Sequence, residues 1–316
     1  MVEAHEREGK QRMEKQRIFI DDILSNENMN RAYKQVIKNK GAAGIDGMEC
    51  NDLLSHLKVN GHQLRESIRN QSYKPMPVKR VEIPKDNGSK RKLGIPTVTD
   101  RMIQQAAAQV LTPIYERKFH TNSYGFRPGK SAQQAVLKAA EYMNEGYNWV
   151  VDIDLEKFFD TVEHDKMISI LNKEIKDGKT LSLIRKFLAS GVMIGEQMEE
   201  TEIGTPQGGN ISPLLANILL NELDWELESR GLRFVRYADD CIILVRSEKA
   251  ATRVMKSVTK YIENVLRLKV NKDKSRIGRP TEIQYLGFAF YYQFQEKKYR
   301  MKVPKKSLDK VMKKVR

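Results

Sequence analysis

Apolar positions change period several times along this chain, and each change marks an element. Ile18, Ile20, Ile23 and Leu24, set among charges, predict a helix over residues 18–40. Two basic stretches, 78–84 and 90–95, flank Asp86-Asn87-Gly88 and read as the strands of a hairpin. From about Asp100 a long helix follows, with Met102, Ile103, Ala106, Ala107, Val110 and Leu111 on its buried side. Alternation from Trp149 predicts a strand with Val151 and Ile153 on one face and Asp152 and Asp154 on the other. Leu214, Leu215, Ile218, Leu219 and Leu223 mark a second buried helical stripe. Ser212 suits its N-cap and Pro213 its first position. Phe234-Val235 and the run 242–245 flank Tyr237-Ala238-Asp239-Asp240, the pattern of a β-hairpin with an acidic turn. The mixture of periods defines an α+β chain without internal repeats.

Charge narrows the partners. The 316 residues carry 56 Lys+Arg against 41 Asp+Glu, a formal net charge of +15. The basic residues concentrate in 74–92 and 300–316, as expected of a protein that meets a polyanion. A solvated basic surface is the plainer reading of the same numbers. Cys50 and Cys241 make no disulfide framework, which fits a reducing, cytoplasmic compartment. The five scattered His residues show no zinc spacing. No apolar run approaches a membrane span, and the segment 2–17 is too charged for a signal peptide. Residues 1–17 are expected to fray, or to be helical only near Arg12–Arg17. The length accommodates two subdomains.

The acidic turn carries the candidate chemistry. Adjacent carboxylates repel each other, and a divalent cation compensates them. A solvated Asp-Asp turn is the bland alternative. Asp154, at the end of an apolar strand, adds a third carboxylate. If the hairpin pairs beside that strand, Asp154, Asp239 and Asp240 converge on two divalent ions suited to in-line phosphoryl displacement. Hard oxygen donors without His or Cys favour Mg²⁺, with Mn²⁺ as a substitute.

Eight blocks then occur in a recognisable order: 42–47 (AAGIDG), 83–101 (IPKDNGSKRKLGIPTVTDR), 123–132 (SYGFRPGKSA), 150–160 (VVDIDLEKFFD), 204–220 (GTPQGGNISPLLANILL), 237–240 (YADD), 268–275 (LKVNKDKS) and 285–288 (YLGF). Together they resemble the reverse transcriptase part of group II intron-encoded proteins, the intron maturases, over roughly residues 18–305. The resemblance implies a right-hand polymerase fold whose palm is an antiparallel sheet backed by helices. Fingers are expected at 18–140, with 161–204 packing between fingers and palm. The palm is expected at 141–160 and 205–303, and the start of a thumb helix at 304–316, the rest of the thumb being absent.

By the same resemblance, Asp154 and Asp239 bridge two Mg²⁺ ions and Asp240 helps hold one of them. Lys85 and Arg91 contact the triphosphate of the incoming dNTP. Phe159 lies beneath the sugar and excludes a 2′-hydroxyl, while Phe158 is core. Gln207 and Gly208 line the nascent base pair, although the glycines of that loop also suit a simple turn. Asn210 departs from the aliphatic residue usual there. Lys274 protonates the pyrophosphate leaving group or is a solvated turn lysine. Arg127 is a template or structural contact, and Tyr285, Leu286 and Gly287 grip the primer or pack as core.

The implied partners are an RNA template, a DNA primer, dNTPs and the parent intron RNA, with a homodimer as a further candidate and no membrane. The implied activity is RNA-directed DNA polymerisation, joined to splicing assistance and intron mobility (retrohoming). An RNA-binding splicing cofactor with little polymerase activity is the alternative. An RNA-directed RNA polymerase shares the palm chemistry, but Phe159 and YADD argue against it.

Overall fold

The computed structural model describes residues 19–84, 90–195, 197–199, 203–204, 208–305, 307–309 and 312. The chain forms two compact units, each built from two separated stretches. The first comprises residues 1–117 and 159–215, the second residues 118–158 and 216–316.

In the first unit, α1 (Phe19–Leu24) and α2 (Asn26–Asn39) replace the single helix expected over 18–40. The break falls at Ser25, whose hydroxyl accepts the Asn28 N–H at 3.3 Å and so caps a new helix. After α3 (Leu53–Arg69), strands β1 (Val78–Pro84) and β2 (Lys90–Ile95) pair antiparallel, matching the two basic stretches. The tip between them, including Lys85, lies outside the described residues. Helix α4 (Val98–Glu116) starts at the Thr97 cap, whose oxygen accepts the Asp100 N–H. Met102, Ile103, Ala106, Ala107 and Leu111 are fully buried. Val110, expected with them, is only half-buried and lines a cleft with Asn28, Arg31 and Arg117. Strand β4 (Val192–Ile194) runs parallel to β1 and pairs with β5 (Gln197–Glu199), giving the order β2-β1-β4-β5. The short helix α6 (Phe158–Thr161) begins at the border of this unit, which also holds α7 (His164–Leu171) and α8 (Gly178–Leu188).

The second unit is built on β3 (Trp149–Ile153). Strand β7 (Asp240–Val245) pairs on one side of it and β8 (Arg276–Gly278) on the other. Strand β6 (Arg233–Tyr237) completes the antiparallel order β6-β7-β3-β8. Its central position explains why Val150 and Val151, neighbours on opposite faces, are both buried. Helix α5 (Ala132–Asn144) packs against β6, and its Val136, Ala139 and Met143 join Val150, Val235, Ile242 and Leu244 in one core. Residues 118–140 therefore belong with this sheet, whereas the sequence placed them with the fingers. Helix α9 (Ser212–Ser229) includes Ser212 itself, one residue ahead of the expected start, and α10 (Glu248–Asn264) packs against β3. A second sheet, in the order β11-β10-β9, joins β9 (Gln284–Tyr285), β10 (Phe288–Gln293) and β11 (Lys298–Lys302). Much of the expected thumb helix (306, 310–311 and 313–316) lies outside the described residues.

Candidate active site

The β6–β7 hairpin closes at the pair Tyr237↔Asp240, leaving Ala238 and Asp239 as a two-residue loop. Ala238 has φ +56°, in the left-handed region that side chains disfavour. Neighbouring groups hold it there. The Arg236 side chain is completely buried, and all five of its N–H donors are used. Nε and Nη2 donate to the two Asp224 carboxylate oxygens at 2.7 and 2.5 Å. Nη1 donates to Asn217 Oδ1 and to the Ala238 carbonyl at 2.9 and 2.8 Å, and Nη2 to Ser123 Oγ at 2.7 Å. From the outer side the 122–127 loop closes on the turn. Tyr124 N–H donates to the Arg236 carbonyl, and a Cβ at Gly125 would stand 2.2 Å from the Ala238 nitrogen.

Asp154 follows β3, next to the acidic turn in the sheet, because Ile153 pairs with Cys241. Its N–H donates to Ser275 Oγ and its carbonyl accepts from Asn271 N–H, so residues 271–275 are tied to the strand end. Asn271 Oδ1 also accepts the N–H groups of Asp273 and Lys274, an Asx turn that places the Lys274 Nζ 3.7 Å from Asp154 Oδ1. Asp152 meets Arg276 at 3.4 Å.

The Asp240 carboxyl is pushed up to about 6, first by loss of hydration and then by repulsion from Asp239, Asp154 and Asp152, with Lys274 opposing. Asp240 as a residue is exposed, so the repulsion among carboxylates is the firmer cause. Asp152 is likewise raised, mainly by burial. Among the described residues no three His, Cys, Asp or Glu side chains stand together at chelating distance. What the site holds is an excess of hard anionic oxygens, which suits a divalent cation by charge and donor type.

The remaining expected residues fall as follows. The Tyr285 side chain is buried, and its hydroxyl reaches the carbonyls of Val235 at 3.2 Å and Asp240 at 3.4 Å. Leu286 and Gly287 form the β9–β10 turn with φ +50° and +80°. Arg127 donates to the carbonyls of His120 and Ser123 at 2.6 and 2.7 Å, bracing its own loop. Phe158 is buried and Phe159 half-buried on α6. Arg91 stands exposed on β2, opposite Ile83. Gly208 has φ +130°, and a Cβ there would lie 2.3 Å from the Gly94 carbonyl oxygen, so its close approach is to β2. Asn210, the departure noted above, donates to Gln105 Oε1 at 3.0 Å. Lys85 and Gln207 lie outside the described residues.

Sequence reasoning missed Arg236, Asp224 and Gly125. Arg236 follows the apolar pair Phe234-Val235 in a strand, and Asp224 follows the leucine-rich stripe of α9. Two opposite charges on predicted buried elements were the available signal.

Residues 83–290 match the family described as reverse transcriptase (RNA-dependent DNA polymerase). The chain belongs to this family, and its mixed α/β architecture is the family's domain fold. Its kin within the family include intron-encoded proteins and maturases. Protein YkfC of Escherichia coli (strain K12) is 32% identical over 308 residues, covering 85% of this chain and 80% of that protein. The group II intron-encoded protein LtrA of Lactococcus lactis subsp. cremoris is 35% identical over 324 residues, covering 81% of this chain and 54% of LtrA. The chain thus spans about half of LtrA's length. Nuclear intron maturase 2, mitochondrial, of Arabidopsis thaliana is 29% identical over 184 residues, covering 46% of this chain and 25% of that protein. Among solved structures, a partial Cas6-RT-Cas1–Cas2 complex matches with a TM-score of 0.50 at 27% identity, covering 80% of this chain and 43% of that one. The family generally uses divalent metal ions and nucleic-acid partners. Among the described residues no helix is long and apolar enough to cross a membrane.

Proposed function

We propose that this chain carries the RNA-directed DNA polymerase of a group II intron-encoded protein, acting in the cytoplasm. It would extend a DNA primer on an RNA template and also bind its intron RNA to assist splicing and mobility. The observation that carries this reading is the sheet register, in which Ile153 pairs with Cys241 and so sets Asp154, at the end of β3, beside the turn that carries Asp239 and Asp240. Burial and then repulsion from Asp239 and Asp154 raise the Asp240 carboxyl to about 6. These three carboxylates would hold two Mg²⁺ ions, with Mn²⁺ able to substitute. When bound, the ions supply charge neutralisation at the reacting phosphate.

The chain's own residues do the rest. They align the primer 3′-hydroxyl with the α-phosphorus of a dNTP, from which pyrophosphate departs. Lys274, which the Asx turn holds beside Asp154, would give a proton to that leaving group. Lys85 and Arg91 take the triphosphate, Arg as a fork and Lys as a point charge. Phe159 excludes the 2′-hydroxyl of a ribonucleotide. Gln207 and Gly208 line the base pair, Arg127 steadies the loop nearest the template, and Tyr285, Leu286 and Gly287 hold the primer end. In this reading the first unit contains the fingers and the second the palm.

The test is primer extension on an RNA template with Mg²⁺, offering dNTPs or NTPs. Wild type should incorporate dNTPs, and Asp239→Asn should lose extension by at least about 1,000-fold while still binding RNA. Retained extension in the variant would refute the carboxylate assignment. Firm RNA binding without extension by the wild type would favour the splicing cofactor alone, a role supported by the maturase among the relatives.

A further inference from the structure

The acidic loop lacks the residues that favour a two-residue turn. It contains no glycine, and Ala238 sits at φ +56°. One backbone carbonyl of that loop, Ala238 O, is held from within by the Arg236 guanidinium. That guanidinium is itself fixed at four further points, on Asp224, Asn217 and Ser123. Asn217 in turn donates to the Gly125 carbonyl at 2.8 Å, and Gly125 lies against the Ala238 nitrogen. The turn is thereby clamped between a buried cation and the 122–127 loop. A buried ion pair of this kind is weak support for stability, because apolar residues of similar volume often do as well. Its value lies in what a planar, five-donor group does here, which is to hold both Asp224 oxygens and the turn carbonyl in one fixed geometry.

We propose that Arg236 is the positioning residue of the active site: through the Ala238 carbonyl it sets where the Asp239 and Asp240 carboxylates stand. The inference rests on the reading of those carboxylates as metal ligands. Arg236 is completely buried and acts through the turn.

The experiment pairs two perturbations with a readout that needs no polymerisation. Arg236→Met combined with Asp224→Leu replaces the ion pair by apolar volume and leaves neither charge orphaned. Gly125→Ala pushes on the same turn from outside, without touching the ion pair. Mn²⁺ affinity is measured by electron paramagnetic resonance, extension by kcat and KM for dNTP, and folding by thermal unfolding. Both variants should unfold cooperatively, bind Mn²⁺ about tenfold more weakly and lose about 100-fold in kcat, with KM for dNTP within about twofold of wild type. Arg236→Lys, which keeps the charge but has three donors in place of the planar five-donor fork, should fall in the same class. A folded double variant with wild-type Mn²⁺ affinity and kcat would overturn the proposal. If the double variant does not fold, Arg236→Lys decides, and wild-type Mn²⁺ affinity and kcat there overturn the proposal equally. Should the wild type bind Mn²⁺ without extending primers, weaker Mn²⁺ binding in the variants still supports Arg236 as the positioning residue while the polymerase reading fails.

Discussion

The second unit contains two hairpins with two-residue loops, and they are held in opposite ways. At β9–β10 the pair Tyr285↔Phe288 encloses Leu286 and Gly287, both at positive φ, with Gly supplying one of the two conformations at no steric cost. Nothing lies within 4 Å of the Cβ position of Gly287, so no neighbour forces that residue into its conformation, while Leu286 packs against the core. At β6–β7 the pair Tyr237↔Asp240 encloses Ala238 and Asp239, a sequence with little preference for a tight turn. That turn is imposed by Arg236 from below and Gly125 from above. Where the chain must present two repelling carboxylates, local preference is overridden by long-range contacts. Strained backbone of this kind collects at functional sites.

The largest expected effect breaks the imposed turn. Arg236→Ala strands Asp224 in the core and should destabilise the protein by about 3–5 kcal/mol, read as a drop in the urea midpoint. A loss below about 1 kcal/mol would mean that Asp224 is not left as an unpaired buried charge. Next comes the β9–β10 turn. Gly287→Ala meets open space but keeps φ near +80°, so the loss should be about 1 kcal/mol, from backbone strain alone.

The acidic turn should then show a gain where a structural turn would show a loss. Asp240 has its carboxyl raised to about 6, so its ionisation opposes folding. The stability linked to its proton is fully present below the ordinary carboxylate range and is lost as pH rises through about 6. Asp240→Asn should therefore match wild type near pH 4 and exceed it above pH 6, by no more than about 1 kcal/mol given the exposure of the residue. Thermal unfolding across pH checks this, and a variant less stable than wild type at pH 7 would contradict the repulsion argument. The smallest effect sharpens the contrast. Ala238→Gly relieves the left-handed strain but frees the unfolded chain, so its net change should stay within about 0.5 kcal/mol, against the clear loss at Gly287.

Local pattern made much of the fold legible. The basic hairpin, the strand carrying Asp152 and Asp154 and the acidic hairpin are all elements whose periodicity or turn residues announce them. That Asp154 would lie beside the acidic turn was legible for the same reason, since both strands announce themselves and pair as neighbours. The break at Ser25 escaped because a hydroxyl cap competes with a helix that apolar spacing alone would continue. The placement of residues 118–140 escaped because the partners of α5 are β6 and β11, far along the chain. The Arg236 network escaped for a related reason, since its members come from the 122–127 loop, helix α9 and strand β6, and no local window contains them.

The interleaving of the two units also governs how this protein is made. Strand β1 emerges from the ribosome long before its parallel neighbour β4, to which it is joined through Val78 and Val192. Strand β3, with Val150, Val151 and Ile153 ready to pair on both edges, waits for Cys241 and its neighbours to be translated. At roughly 5–20 residues per second that wait is on the order of 10 s. Throughout it a short apolar strand is open to other nascent chains, so newly made protein should depend on chaperones.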